Sequence, residues 1–491
     1  MDLPYLSIII FSPLVGSLII ALLPKERHLA IKVIALICAF VSMVTSFWVY
    51  FSYDQTLGGF QFEEQINWIA PLGVSYHLGV DGLNLPMLLL TGLVIFGGVL
   101  VSWTVDSHPR EFFALLLLLV TGIFGAFASL DLFLLFVFYE LAVLPMFLLI
   151  GVWGWRELRE YASMKLTLYL LVGSACALIG ALAVYFAAGL GTFDIVRLSE
   201  VQFDPDFQHL FFLPIFIGFS VLAAMWPFHS WSPDGHVAAP AAASMLHAGV
   251  LMKMGAYSAL RVGVNILPVG AQRWLPWLVG LTVVNVVYGA MVALAQTDLK
   301  YVIGFSSVSH MGFVTMGVAS MNAIGMSGAV MQMFSHGIMT GLFFAVVGLV
   351  YRTTHTRHIP SLGGLARKMP FAAAAFVVGS LASMGVPGSS GFVAEFHVFV
   401  GTWRAYPLIA ILAAPGIFIT AAYVLRVVQM VFLGKMKPEH EELPESNNFE
   451  KVALFMLAAV LILVGIYPSI MMDLIKTGVA PIVAKLGGAA P

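Results

Sequence analysis

Apolar runs of around 20 residues, separated by short polar breaks, recur along the whole chain. A run of that length crosses a hydrocarbon core of about 30 Å as a helix. A helix also satisfies its backbone polar groups from within, which lipid requires. The runs predict about fourteen spans, at residues 3–23, 29–52, 80–103, 112–129, 131–153, 162–189, 209–229, 239–266, 273–296, 301–320, 324–352, 370–402, 405–434 and 451–475. The polar intervals Tyr53–Tyr76, Thr192–Gln208, Arg352–Lys368 and Gly434–Glu450 are too short for a soluble catalytic domain. The pattern reads as an all-α polytopic membrane protein. The apolar start, Leu3 to Leu23, lacks both a basic stretch before it and an A-x-A-like site after it, and reads as a retained first helix.

Two spans are interrupted. The seventh breaks at Pro227, and the twelfth contains Gly385, Pro387, Gly388, Ser389, Ser390 and Gly391, which cannot sustain a regular helix. Unwound backbone at membrane depth survives only inside protein or against a water-filled cavity. Interrupted spans at corresponding positions are the sign of inverted repeats, here spans four to eight against nine to thirteen. The expected organisation is residues 1–110 for the first three helices, 111–266 and 267–434 for the two five-helix repeats, and 435–491 for a loop and the C-terminal helix.

Composition agrees: 60% of the 491 residues are hydrophobic and 10% charged. The formal charge of -2, with no Lys/Arg block, argues against nucleic acid as a partner. Cys38 and Cys176 lie in apolar runs and read as small hydrophobes, so the chain offers no cysteine ligand set and no cofactor fingerprint. Most of the 23 lysines and arginines fall in the loops after odd-numbered spans, whereas Arg197, Arg261, Arg273, Arg404, Lys476 and Lys485 fall on the other side. That bias places both termini away from the cytoplasm.

Ionisable residues within spans are few, and each costs roughly 2.5–3.5 kcal/mol on insertion scales, so each is a functional candidate. Lys253 lies in the eighth span, with Gly249 and Tyr257 expected on its own face and His247 on another. Glu140 lies mid-span beside Pro145, which frees the Leu141 carbonyl and can admit water. Glu395 follows the break in the twelfth span. His310 and His336 occupy spans between Lys253 and Glu395. Each histidine alone is as well explained by packing, but two between a lysine and a glutamate suggest lateral proton passage in chain order. Asp131, Asp234, Asp298 and Lys300 fall near helix ends, where capping or contact with water is the plainer reading. Arg426 reads as pairing or snorkelling, and Asp81 as a helix-start charge or a contact for a neighbouring subunit.

The segments YELAVLPMFLLIGVWG, HSWSPDGHVAAPAAASMLHAGVLMKMGAY, DLKYVIGFSSVSHMGF, FSHGIMTGLFF and GFVAEFHVF resemble the antiporter-like subunits of respiratory complex I, the proton-translocating NADH-quinone oxidoreductases. The resemblance covers nearly the whole chain and, through SVSHMG and the glutamate at Glu395, is closest to the subunit M (chain 4) type. It implies fourteen helices in inverted repeats around a hydrophilic axis, with Glu140, Lys253, His310, His336 and Glu395 carrying protons. It also implies L-like, N-like and small membrane subunits as partners, and an inner or plasma membrane location. NADH, FMN, iron–sulfur clusters and quinone would belong to partner subunits. One departure stands out. The family places a lysine seven residues before the histidine of its H-x-W-x-P-D motif; that histidine is His229, and Leu222 stands in the lysine's place. Three readings follow: a working proton-translocating arm, a subunit of a multisubunit cation/proton antiporter or membrane-bound hydrogenase, or a structural spacer with an impaired channel.

Overall fold

The structure, a computed structural model, describes residues 3–441 and 443–487. Among the described residues, twelve helices are long and apolar enough to cross a membrane. They are α1 (Tyr5–Leu22), α2 (His28–Ser52), α3 (Leu85–Thr104), α4 (Pro109–Ala128), α5 (Leu132–Trp153), α6 (Arg159–Ala188), α7 (Pro205–Leu222), then, beyond α8 (Trp231–Ala238) and α9 (241–266), α10 (Pro268–Ala295), α11 (Leu299–Ala319) and α12 (Ala323–Thr354), and, beyond α13 (Pro370–Ser383) and α14 (Ser390–Ala405), α15 (Pro407–Leu433) and α16 (Asn448–Ile466). The remaining elements explain the interrupted spans. The seventh becomes α7 and α8 with a non-helical joint, and the twelfth becomes α13 and α14. The eighth is the continuous helix α9, in which two π-helical turns alternate with α-helical ones.

One side chain makes three hydrogen bonds at the joint between α7 and α8. Asn285 of α10 accepts from the Trp226 amide at 2.5 Å and donates to the carbonyls of Ala224 at 3.0 Å and Val308 at 3.1 Å. Backbone groups that the helix no longer satisfies are thereby satisfied inside protein.

Helices α3, α11 and α12 are buried nearly all round, while α1, α2, α6, α10, α15 and α16 turn much of their surface outward. The inner helices are rich in small residues, which permit close backbone approach without a hydrophobic drive between helices. At Gly337 of α12, a Cβ would lie 2.5 Å from the Gly249 carbonyl of α9 and 2.6 Å from Leu90 of α3. Three helices meet there because the residue is glycine.

The structure departs from the expected spans and loops in two places. The Tyr53–Tyr76 interval contains a two-stranded antiparallel sheet, β1 (Gln61–Ile69) against β2 (Val74–Val80), with Glu64 opposite Leu78 and Ile66 opposite Tyr76. The hairpin is tied down at both faces. Glu64 accepts from the Leu6 amide at 2.8 Å at the start of α1, and Asp131, which caps α5, accepts from the Ser75 amide at 2.9 Å. His77 bridges Asp194 at 2.8 Å and Glu63 at 3.1 Å. Burial alone would pull its pKa down, but these two hydrogen-bonded carboxylates hold it above the ordinary value. The second departure is at the C-terminal end, where the predicted 451–475 span breaks at Tyr467–Pro468 and a further helix, α17 (Ser469–Lys485), follows.

Candidate functional site

Lys253 lies near the middle of α9 and is fully buried. Its Nζ is 2.7 Å from Nδ1 of His336 and donates to the Ala248 carbonyl. Ala248 belongs to the π-turn His247–Leu251, and the turn Ala259–Val264 lies on the other side of the lysine. A π-turn carries an extra residue, which shifts Gly249 from its i, i+4 alignment with Lys253, whereas Met252–Ser258 is regular α-helix and keeps Tyr257 one turn from the lysine. Tyr257, expected to serve Lys253, instead donates to the Phe127 carbonyl at 3.2 Å and meets Arg261.

His336, near the middle of α12, stacks on His310 of α11 with 5.2 Å between ring centroids. His310 continues the line. Its Nδ1 lies 3.2 Å from Glu395 Oε1 and 3.2 Å from the Gln332 amide nitrogen, and its Nε2 lies 3.1 Å from Ser383 Oγ. One ring nitrogen therefore faces both a donor and an acceptor. It can accept from Gln332 when bare and donate to Glu395 when protonated, so each protonation state has a partner. Glu395 is seated against the break between α13 and α14. A Cβ on Gly385, whose φ of +63° favours glycine, would lie 2.7 Å from its Oε2.

Lys253, His336, His310 and Glu395 thus form one contiguous buried row, each near the midpoint of its helical pass. The two histidines stand in the reverse of chain order. Glu140 is not part of it. It is half-buried on a face of α5 that also exposes Val137, Leu144 and Leu148, and it has no hydrogen-bond or ion-pair partner among the described residues. On the Glu140 side of Lys253 stands Leu222, fully buried, whose Cβ would meet a Cβ added at Gly255 of α9 at 2.9 Å.

The family model described as "NADH:quinone oxidoreductase/Mrp antiporter, TM" matches residues 129–420, more than half of the chain. The chain belongs to this family. "NAD(P)H-quinone oxidoreductase chain 4" of Gloeobacter violaceus is 39% identical, over 96% of this chain and 91% of its own length. "NADH-quinone oxidoreductase subunit M" of Rhodobacter capsulatus is 38% identical, over 97% of this chain and 96% of its own. Among solved structures, a chain of respiratory complex I from Thermus thermophilus superposes with a TM-score of 0.91 at 28% identity, covering 98% of this chain and all of that one. A chain of the Mrp complex from Dietzia, TM-score 0.85 at 21% identity, shares the fold.

Other residues of this quinone oxidoreductase/Mrp family chain can be compared with their sequence readings one by one. Asp81 is a helix-start charge, accepting from the Leu83 and Asn84 amides just before α3, and it also forms a buried ion pair with Arg261 of α9. Asp131 and Asp298 do cap α5 and α11. Asp234 pairs with Lys165 at 2.8 Å, and Arg426 donates to the Gln296 carbonyl at 2.7 Å. Lys300, just inside the start of α11, lines a polar cavity and has no carboxylate within ion-pair distance among the described residues. It is 5% exposed, and its Nζ donates to the Ala239 carbonyl at 2.5 Å, at the end of α8. His236 and His247, buried with rings 4.1 Å apart, complete the ionisable groups near Lys253. Their position behind an interrupted span was the available signal.

Proposed function

We propose that this chain is a proton-translocating membrane-arm subunit of an NADH-quinone oxidoreductase, working beside L-like, N-like and small membrane subunits, with the electrons and their cofactors carried in other partner subunits. The observation that carries this is the buried row from Lys253 through His336 and His310 to Glu395. A proton arriving at His336 displaces nothing but the lysine's shared hydrogen bond. His310 then passes a proton to Glu395 by exchanging its Gln332 partner for the carboxylate, and Glu395 releases it beside the unwound joint of α13 and α14, where non-helical backbone can face water. Glu140 lies at the lateral edge of the chain, and a cation of a neighbouring subunit or water takes the place of the lysine absent at Leu222. On this reading the passes number fourteen, residues 111–266 and 267–434 are inverted repeats, and both termini face away from the cytoplasm of an inner or plasma membrane.

A second reading, a spacer subunit with an interrupted channel, is favoured by the unpartnered Glu140 and the apolar Leu222. Glu140→Gln and Lys253→Ala, assembled into the complex and assayed in membrane vesicles for quinone-reductase-linked proton pumping, separate the two. Both should pump well below the parent. If both pump like the parent, the proton-carrying reading is wrong.

A further inference from the structure

A second concentration of charge, apart from the row, lies at the C-terminal end of α9. There α9, the short helical turn Ile195–Leu198, the loop before β1 and the C-terminal helix α17 enclose a pocket of about 110 Å³. Its lining includes Asp81, Ser199, Arg261, Asn265, Thr477 and Lys485. Pockets for nucleotide-sized ligands start at about 300 Å³. This one has room for a small ion and its waters.

Arg261 is 3% exposed, with the rings of Phe60 and Tyr257 5.2 and 5.4 Å from its Cζ. What a planar guanidinium has left for polar partners is its edge. Nε donates to the Tyr257 hydroxyl at 3.2 Å and Nη2 to Asp81 Oδ1 at 2.5 Å. Nη1 has no partner among the described residues and is not sealed off from open space. Asp81 is divided in the same way. Oδ1 takes the Leu83 and Asn84 amides and the Arg261 bond, while Oδ2 has no partner among the described residues and is likewise open. Lys485, in the last turn of α17, donates to the Ser199 carbonyl at 2.7 Å and to Asn265 Oδ1 at 3.0 Å, with the Asn265 carbonyl at 3.5 Å. All three acceptors are neutral. The other carboxylates nearby do not balance it. Glu200 is exposed, lies off the lining and forms no ion pair among the described residues, and Asp473 of α17 pairs with Lys476 at 2.9 Å. The plainer account puts water between Nη1 and Oδ2 and makes Lys485 a tether for α17. That account leaves two cations against one carboxylate around a single small pocket.

We propose that this pocket binds a protonated oxyanion of the phosphate class, held by Arg261 Nη1 and Lys485 Nζ and donating its own hydroxyl to Asp81 Oδ2. Charge-assisted bonds of this kind are the strong ones. Lys485 turns its longest contact, the one at 3.5 Å, to the anion and keeps the other two. The free carboxylate oxygen sets the selectivity. Hydrogen phosphate carries a hydroxyl to give it, whereas sulfate presents only acceptors and meets Oδ2 with repulsion. The same chemistry exists on a free phosphate and on a phosphate monoester headgroup such as that of phosphatidic acid. Bound there, the anion fastens α17 to the end of the helix that carries Lys253. No covalent bond changes, and the site stands whether or not the row moves protons.

The test uses the assembled complex, purified in detergent and exchanged into phosphate-free buffer. Hydrogen exchange of the α17 amides is followed as potassium phosphate, potassium sulfate or potassium chloride is added at matched ionic strength, and separately as phosphatidic acid is mixed into the micelles. At ten times its half-saturating concentration, phosphate should slow exchange in α17 about tenfold, while sulfate and chloride leave it unchanged. Lys485→Met should lose that response. Lys476→Met, which removes the other lysine of α17, should keep it. If α17 is already loose in Lys485→Met without any anion, Lys485→Arg decides, since it restores the cation and should restore the response. A response to phosphatidic acid but not to free phosphate assigns the site to a lipid headgroup, the reverse assigns it to the medium, and either supports the site. A parent that responds to neither overturns it. So does slowing by sulfate or chloride equal to that by phosphate, a full response in Lys485→Met, or a docked α17 in Lys485→Arg that does not respond.

Discussion

The two-partner nitrogen of His310 gives the sharpest expectation at the residue scale. Gln332→Leu deletes the donor that holds the bare ring while leaving Glu395 in place, so the complex should assemble and its pumping should slow. Parent-level pumping in that variant would show that the exchange is not a working step. The Asp81–Arg261 pair tests structure instead. Asp81→Ala leaves a buried guanidinium without its counter-charge, a change that typically costs about 3–5 kcal/mol. It should appear as a lowered midpoint in thermal denaturation of the purified complex, and Asp81→Leu combined with Arg261→Met should recover part of the loss. The row itself was legible in the sequence, because a lysine, a glutamate and two histidines inside apolar runs are rare and expensive. Asp81 with Arg261 was not, since the partners are 180 residues apart and each lies where a helix end was expected.

At the scale of elements, α9 joins the pieces, and its packing on α7 is tight. A Cβ on Gly255 would lie 2.6 Å from the Phe219 carbonyl and 2.7 Å from the Ala223 nitrogen. Gly255→Ala should therefore cost about 1–3 kcal/mol through overpacking, read as less assembled complex and a lower melting midpoint. The π-turns escaped the sequence reading because periodicity assumes one turn length throughout. The hairpin escaped it because β1 is largely exposed and polar, so the stretch read as loop. Its pH dependence has a definite sign. The raised pKa of His77 means that its contribution to stability is fully present below about pH 6.5, and is lost as the pH rises through the higher folded value. Burial pushes Asp194 up, but its hydrogen bond to His77 overrides this and holds it below the ordinary carboxylate range, so its share is lost only in acid. The protection of β2 amides, taken relative to their intrinsic base-catalysed exchange, should fall between neutral and mildly alkaline pH, and His77→Gln should remove that fall. Constant protection across this range in the parent would show that the bridge does not hold the hairpin.

For the whole molecule, the division between lipid-shielded and outward-facing helices explains both what apolar runs revealed and what they hid. Run length marks a helix wherever it sits, so most spans were legible. Which faces turn inward was not, because lipid and protein interior favour the same residues. The outer helices should accept most apolar substitutions with little effect on assembly, whereas α11 and α12 should accept few. The mid-helix position of every member of the row has a consequence of another kind. Groups at one depth lie in the plane of a membrane, perpendicular to its electric field. A charge carried fully across works against about 2.3 kcal/mol per 100 mV. Steps from Lys253 to Glu395 cover none of that distance, so the electrical work falls on the uptake and release steps alone. An opposing voltage should then slow the loading of Lys253 and the discharge of Glu395, and leave the exchange between the histidines at its zero-voltage rate.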